Sequence, residues 1–481
     1  MLTNSAKRAA SPTNMTTPSD NIDRRTWLKT SSCGFGMLAL NAMVNSARAA
    51  NPLVGKAPHH RPRAKRIIFL FMQGGPSQVD TFDYKKRLAK SDGSQLRFHN
   101  ARKRKETQER VFRSPWKFDR YGERGQWVSE LFPEITRHVD DLCVINSMHT
   151  EGVAHGPATL FLHTGATNLI RPSFGSWLTY GLGTENQSLP GFVTISPPPT
   201  KGGPRNYSNG FLPAAYQGTA IGRAGIPIAK AGIRHVRNRY LGKREQKRQV
   251  DLLQQLNRVQ IQLRADDELE AAIESFELAY RMQQVAPDIL DLNSESQSTK
   301  QLYGIGQRAT DEYGQQCLLA RRLCESGVRF VQVNYSDNLA TPKWDQHSRI
   351  RDHEKHALAT DKPVAGLLAD LKARGLLEDT LVWWGGEFGR TPFAQGSDGR
   401  DHNPKGFTIW LAGGGIKPGL TYGATDEFGY EAVENRVHMH DLHATLLHQL
   451  GLNHEKLTYR FAGRDFRLTD VHGQVVRDIL A

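Results

Sequence analysis

The chain has 481 residues, of which 38% are hydrophobic, and a mean hydropathy of −0.53. That is enough for one large domain or two ordinary ones, and too polar for a membrane-embedded protein. Lys and Arg number 63 against 49 Asp and Glu, a net charge of +14, but the basic runs HHRPRAKR (59–66) and RKRKETQER (102–110) lack interleaved aromatics and any nucleic-acid-binding motif. They read as solvated charge, with no specific nucleic-acid partner; binding to polyanions such as sulfated glycans or envelope lipids is the alternative.

The four cysteines define no disulfide framework and no CxxC metal site. Cys317 and Cys324 fall about two turns apart on an expected helix, too far for an unstrained bridge.

In chain order, the first element is an address. Residues 24–49 place Arg24-Arg25 before Trp27-Leu28-Lys29, then a short apolar stretch, then Ala47-Arg48-Ala49 at a cleavage-site spacing. This resembles a twin-arginine (Tat) export signal, which implies contact with the Tat export machinery and a periplasmic or extracellular mature protein beginning near Ala50. The apolar stretch is too short to span a bilayer, so no transmembrane segment is expected in the mature chain.

The remainder, 50–481, is expected to be one domain. RIIFLFMQGG (66–75), LCVINSMH (142–149), RFVQVNYS (329–336), DTLVWWGGEFG (379–389) and GFTIWLAGGG (406–415) are short apolar runs, three of them closed by glycine, and read as buried strands. Helical patterns occupy 308–326, 354–374 and 441–451, with Asp441 as the expected N-cap of the last. Residues 90–125 are basic and polar, a surface excursion, and about 235–300 is a charged helical insertion. Strands alternating with helices imply an α/β layer sandwich with a mostly parallel sheet, in which function collects at the carboxyl ends of the strands.

The loops at those ends are rich in carboxylates and imidazoles. They offer Ser77, Asp80 and Asp83 after the first strand, and His155 after the second. Asp345 and His347 follow the third, with His353 and His356 read as surface imidazoles of the next helix. Glu387 and Arg390 follow the fourth, Asp401 and His402 precede the fifth, and His438, His440 and His443 lie near the last helix. Oxygen and nitrogen donors converging from separate loops are what a divalent metal site requires. An Asp345–His347 pair in an extended loop would face one way and share an ion.

The stretches GGPSQVDTFD, HGPATLFLHTG, WDQH, GGEFGRTP, DHNPKGFTIWLAGGGIKPG and HMHDLHATLLHQLGL together resemble the DUF1501 family, related to the alkaline-phosphatase/sulfatase superfamily. The resemblance runs from about 65 to 470. It implies an alkaline-phosphatase-like three-layer sandwich and a site for a divalent metal (Zn, Ca, Mg or Mn) at the sheet edge. Metal ligands implied by position are Asp80, Asp345, His347, Glu387 and His402. HGPATLFLHTG aligns with the sulfatase C-x-P-x-R-x-x-x-x-T-G motif, with His155 at the nucleophile position and Thr159 at the arginine position. The resemblance therefore implies a hydrolase of phosphate or sulfate esters, with a small-molecule or glycan ester as substrate. His155 would serve as nucleophile or base and Arg390 as oxyanion partner. The loss of the usual nucleophile carries the alternative: a catalytically lapsed scaffold that binds a ligand or partner in the envelope.

Overall fold

The computed structural model describes residues 52–231, 241–263 and 267–481. The export-signal segment 24–49 lies outside the described residues, as do 232–240 and 264–266 of the insertion.

Nine strands form one sheet. In chain order we label β1 Arg66–Met72, β2 Leu142–His149, β3 Phe192–Ile195, β4 Thr219–Ile221 and β5 Phe330–Tyr335. These are followed by β6 Thr380–Gly385, a hairpin of β7 Gly389–Gln395 and β8 Gly399–Asn403 that stands apart from the sheet, β9 Phe407–Ala412, β10 Leu420–Tyr422 and β11 Val437–His438. The spatial order is β10-β2-β9-β6-β1-β5-β3-β4, with β11 extending the same edge of β2 that β10 occupies. β1 pairs in parallel with β5 and β6, β5 with β3, and β3 with β4. Only β9 runs against its neighbours, antiparallel to both β6 and β2. Every residue of β1, β5, β6 and β9 is buried, as expected of strands covered on both faces, which read as continuous apolar runs.

The covering helices are α2 His155–Thr164, α3 Phe174–Leu182, α6 Asp311–Glu325, α7 His353–Ala373 and α8 Met439–Gln449; α1 is the single turn Gln78–Thr81, and α4 Lys243–Leu263 and α5 Asp267–Leu290 form the insertion. Alternate residues of β1 serve different layers. Ile68, Leu70 and Met72 join the core made with α6 and α7, through Leu318, Leu323, Leu367 and Leu371. Ile67, Phe69 and Phe71 join the core made with α2, α3 and α8, through Leu162, Trp177, Leu442 and Leu446. Each such side chain contributes about 1.5–3 kcal/mol by leaving water. The protein is thus a three-layer α/β sandwich with a mostly parallel sheet. Among the described residues no helix is long and apolar enough to cross a membrane. Cys143, Cys317 and Cys324 are buried free thiols.

Three details differ from the sequence reading. The polar stretch 90–125 holds two hairpins, 95–110 and 118–129. The N-cap of α8 is His438, and Asp441 reaches back from the third helical position to accept its N–H at 2.9 Å, a reciprocal capping box. His353 and His356 are buried rather than on the surface: His353 accepts the Ser77 N–H at 3.1 Å and His356 bonds Tyr335 Oη at 2.9 Å.

On α7, buried Asp361 accepts the N–H groups of Glu134 and Ile135 at 2.7 and 2.9 Å. Burial pushes its carboxyl from 3.8 up to about 7, against the pull of those two donors. The folded state therefore holds a proton that the unfolded chain has already released across this window. Stability should fall as pH rises from about 4 to about 7, by at most about 4 kcal/mol. Denaturant titrations at several pH values should show this slope in the wild type and its loss in Asp361→Asn; equal slopes would refute it.

Candidate metal centre

The parallel strands deliver their following loops to one edge of the sheet. β1 ends at Met72, and the chain turns through Gly74 and Gly75, at φ +111° and +75°. A Cβ at Gly74 would lie 2.8 Å from the Asp345 backbone nitrogen, and one at Gly75 would lie 2.6 Å from the Phe388 carbonyl. Only glycine lets these three loops meet. β5 leads into the loop carrying Asp345 and His347, β6 into Glu387, and β2 into the first turn of α2, where His155 stands. Because β9 is reversed, its entrance rather than its exit lies at this edge, so His402 arrives from β8 just before it.

His155, Asp345, His347 and His402 come together, with one donor atom from each lying within 4.8 Å of the others. His347 Nε2 and His402 Nε2 approach Asp345 Oδ1 at 2.8 and 3.2 Å. His155 Nε2 lies 3.1 Å from Asp345 Oδ2 but outside hydrogen-bond geometry. The two imidazole nitrogens of His347 and His402 are themselves 3.1 Å apart.

The other ring nitrogens are held as well. His155 Nδ1 is 2.6 Å from Glu387 Oε1, His402 Nδ1 is 2.7 Å from the Val153 carbonyl, and His347 Nδ1 bonds Gln395 Oε1. Each of these partners is an acceptor that an Nδ1–H can serve, which would leave Nε2 as the ligating atom of a neutral ring. Outer partners of this kind fix the rings of metal-ligating histidines. This group of three imidazoles and one carboxylate has the composition to bind a divalent metal.

The four groups and Arg390 shift one another's protonation. Burial would raise the Asp345 carboxyl, but His155, His347, His402 and the Arg390 guanidinium outweigh it and hold the group well below the usual carboxylate range. Burial works to lower His155, and Asp345 and Glu387 overcome it and raise it. His402 is pulled down to about 4, mainly by burial, with Arg390 and His155 adding to the effect.

The remaining residues singled out in the sequence sit around this group. Glu387 is fully buried and accepts the Gly74 N–H on both oxygens, at 3.0 and 3.1 Å, while holding His155. It orients a donor instead of adding one to the cluster. Asp80 is drawn away into a two-point ion pair with Arg400, at 2.6 and 3.1 Å, and also accepts from Ser77 Oγ. Arg390 donates to the carbonyls of Gly74, Gly75 and Arg400 and, at 2.7 Å, to Asp345. Four of its five N–H donors thus tie the loops together. His440 and His443 are buried on α8, apart from this cluster.

Sequence reasoning missed Gln395, Val153 and Arg400. Gln395 and Arg400 belong to the β7–β8 hairpin, whose strands GRTPFAQ and GRDHN show neither an apolar run nor a regular alternation. The Val153 contribution is a backbone carbonyl, which no residue type announces.

The fold and the site together define an α/β protein with three imidazoles and a carboxylate, a set that could hold a metal ion, gathered at the carboxyl edge of its sheet. The chain belongs to the family described as "Protein of unknown function (DUF1501)", which it matches over residues 64–480. No curated protein matches the sequence. Solved structures with a similar course of the chain include the lipoteichoic acid synthase LtaP from Listeria monocytogenes, at 9% identity, 88% of this chain, 80% of that one and a TM-score of 0.32. The PsFucS1 sulfatase from Pseudoalteromonas sp. is 12% identical, with coverages of 82% and 69% and a TM-score of 0.31. A protein in the alkaline phosphatase superfamily from Vibrio parahaemolyticus is 10% identical, with coverages of 83% and 70% and a TM-score of 0.33.

Proposed function

We propose that the protein is an exported, metal-dependent hydrolase of phosphate or sulfate esters, with the ion held by Nε2 of His155, His347 and His402 and by Asp345. The observation that carries the reading is the convergence of three imidazole Nε2 atoms on one buried carboxylate, Asp345. Each Nδ1 has an acceptor of its own, so a cation among the four groups would leave every ring satisfied. Three imidazoles and a carboxylate suit zinc or manganese better than calcium or magnesium, which favour oxygen. Bound there, the ion supplies Lewis acidity toward a phosphoryl or sulfuryl oxygen.

The chain's own groups do the rest. Glu387 fixes the His155 ring. The His347 side chain, 29% exposed, is the most accessible of the four and marks the mouth. Beside it, Asp401 lies 3.8 Å from His347 Nδ1 and pairs at 3.0 Å with Arg102, at the tip of the basic 95–110 hairpin. This positive rim favours the approach of an anionic ester. On this reading His155 is a ligand instead of a nucleophile. His155→Ala should lose bound metal and turnover of aryl phosphates or sulfates together; retained metal with lost turnover would restore the nucleophile role.

One observation favours the lapsed-scaffold reading: Arg390, the expected oxyanion partner, is fully buried and gives four of its five N–H donors to the protein itself. A panel of aryl phosphate mono- and diesters and aryl sulfates separates the two. Cleavage of none by the metal-loaded protein leaves binding as the function. Export rests on the Arg24-Arg25 signal; Arg24→Lys/Arg25→Lys should trap the precursor in the cytoplasm, and unchanged secretion would exclude the Tat route.

A further inference from the structure

A second cavity, of about 410 Å³, opens beside the carboxyl ends of β3 and β5 and is lined by Ser196, Glu312, Tyr313, Gln316, Tyr335 and Lys343. Three of its polar side chains are more than nine-tenths buried and under-satisfied. Ser196 Oγ and Gln316 Oε1 have no hydrogen-bond partner, and Tyr313 Oη has none beyond the neighbouring Cys317 thiol. A buried polar atom left unpaired costs about 1–3 kcal/mol, so three around one space are an unusual concentration. The orientation of Gln316 is fixed by its own amide, since Nε2 donates to Glu312 Oε1 at 2.8 Å and turns the free Oε1 away from it.

Two further observations point into the same space. Ser196 holds φ +50°, a left-handed conformation that a serine adopts at a cost, and such strain collects at functional sites. Its backbone is pinned there, the N–H donating to Ile221 at 2.8 Å and the carbonyl accepting from Ser336 Oγ at 3.3 Å. Lys343 Nζ lies 4.1 Å from the centre of the Tyr335 ring, and among the described residues it forms no ion pair within 4 Å, although the lining acids Asp337 and Glu312 attract it. Glu312 already accepts the Ile228 N–H on both oxygens.

We propose that this cavity is a binding site for a small anionic polyol, a hydroxycarboxylate or acidic monosaccharide. Its carboxylate pairs with Lys343 Nζ, its hydroxyl oxygens accept from Ser196 Oγ and Tyr313 Oη, and one of its hydroxyl protons is donated to Gln316 Oε1. The site is separate from the metal cluster, although Lys343 and Asp345 share one loop, and it needs no metal.

The test is calorimetry and thermal shift with galacturonate and gluconate, against neutral methyl galactoside, on the full chain before and after chelation. Expected are saturable binding of the acids with and without metal, and at least a tenfold weakening in Lys343→Met. Tyr313→Phe should weaken binding severalfold while leaving metal content unchanged. No binding of either acid at millimolar concentration overturns the proposal, as does equal binding by Lys343→Met. Binding that disappears with chelation or in His402→Ala assigns the ligand to the metal cluster and overturns it too. Because the acids are tested on metal-free protein, failure of the hydrolase reading leaves this outcome intact.

Discussion

Asp345→Ala and His402→Ala should each strip the natively purified protein of its divalent metal, from about one ion per chain to a background level. Both residues meet the other donors within 3.2 Å, and losing one of four ligands leaves the other lone pairs without a common centre. Metal bound at about 100 times its dissociation constant stabilises a fold by about 2.7 kcal/mol. For a chain of this size, chelation should therefore lower the wild-type Tm by about 3 °C and leave the variants unmoved. Glu387→Gln should keep the ion but weaken it by about 10–100-fold, because Glu387 acts on the His155 ring and not on the metal. Elemental analysis together with melting curves decides the matter: full occupancy in both alanine variants would remove the metal centre, and the hydrolase reading with it.

Asp80→Ala should be the most destabilising single change at this edge, by about 3–5 kcal/mol. Asp80 and Arg400 are both fully buried and joined at two points. Removing the carboxylate leaves a guanidinium with no counter-charge in a dry interior. The Arg400 contacts to the carbonyls of Thr391 and Arg113 cannot replace it, since carbonyls carry no net charge. Urea titration should show the midpoint drop while the metal content per folded chain stays constant. A drop in metal content with unchanged stability would instead make Asp80 a ligand.

The five long strands were legible because each is a run of apolar residues closed by a turn, and the structure places all five within the central sheet. The strands at 192–195 and 219–221 were not, being only 4 and 3 residues long. Periodicity needs more residues than that to emerge. At the metal centre, the residue types in strand-end loops drew attention to His155, Asp345, His347 and His402, which the fold brings together. Side-chain partnerships were hidden. Nothing local to Asp80 reveals that an arginine 320 residues away will claim it, and nothing local to Arg390 reveals that three backbone carbonyls will occupy its donors. Those depend on how the β7–β8 hairpin folds over the edge, and its sequence is too irregular to announce it.

The alternation along β1 makes that strand a ruler. Ile67, Phe69 and Phe71 fit one helical layer and Ile68, Leu70 and Met72 the other, so the strand cannot slide by one residue without exchanging the two sets. A single insertion between 66 and 72 would exchange them, and would carry Gly74 about 3.4 Å out of place. The gap that Trp344, Asp345 and Glu387 share with that glycine tolerates no such displacement. The two greasy layers, remote from any chemistry, thus measure out where the chemistry can happen.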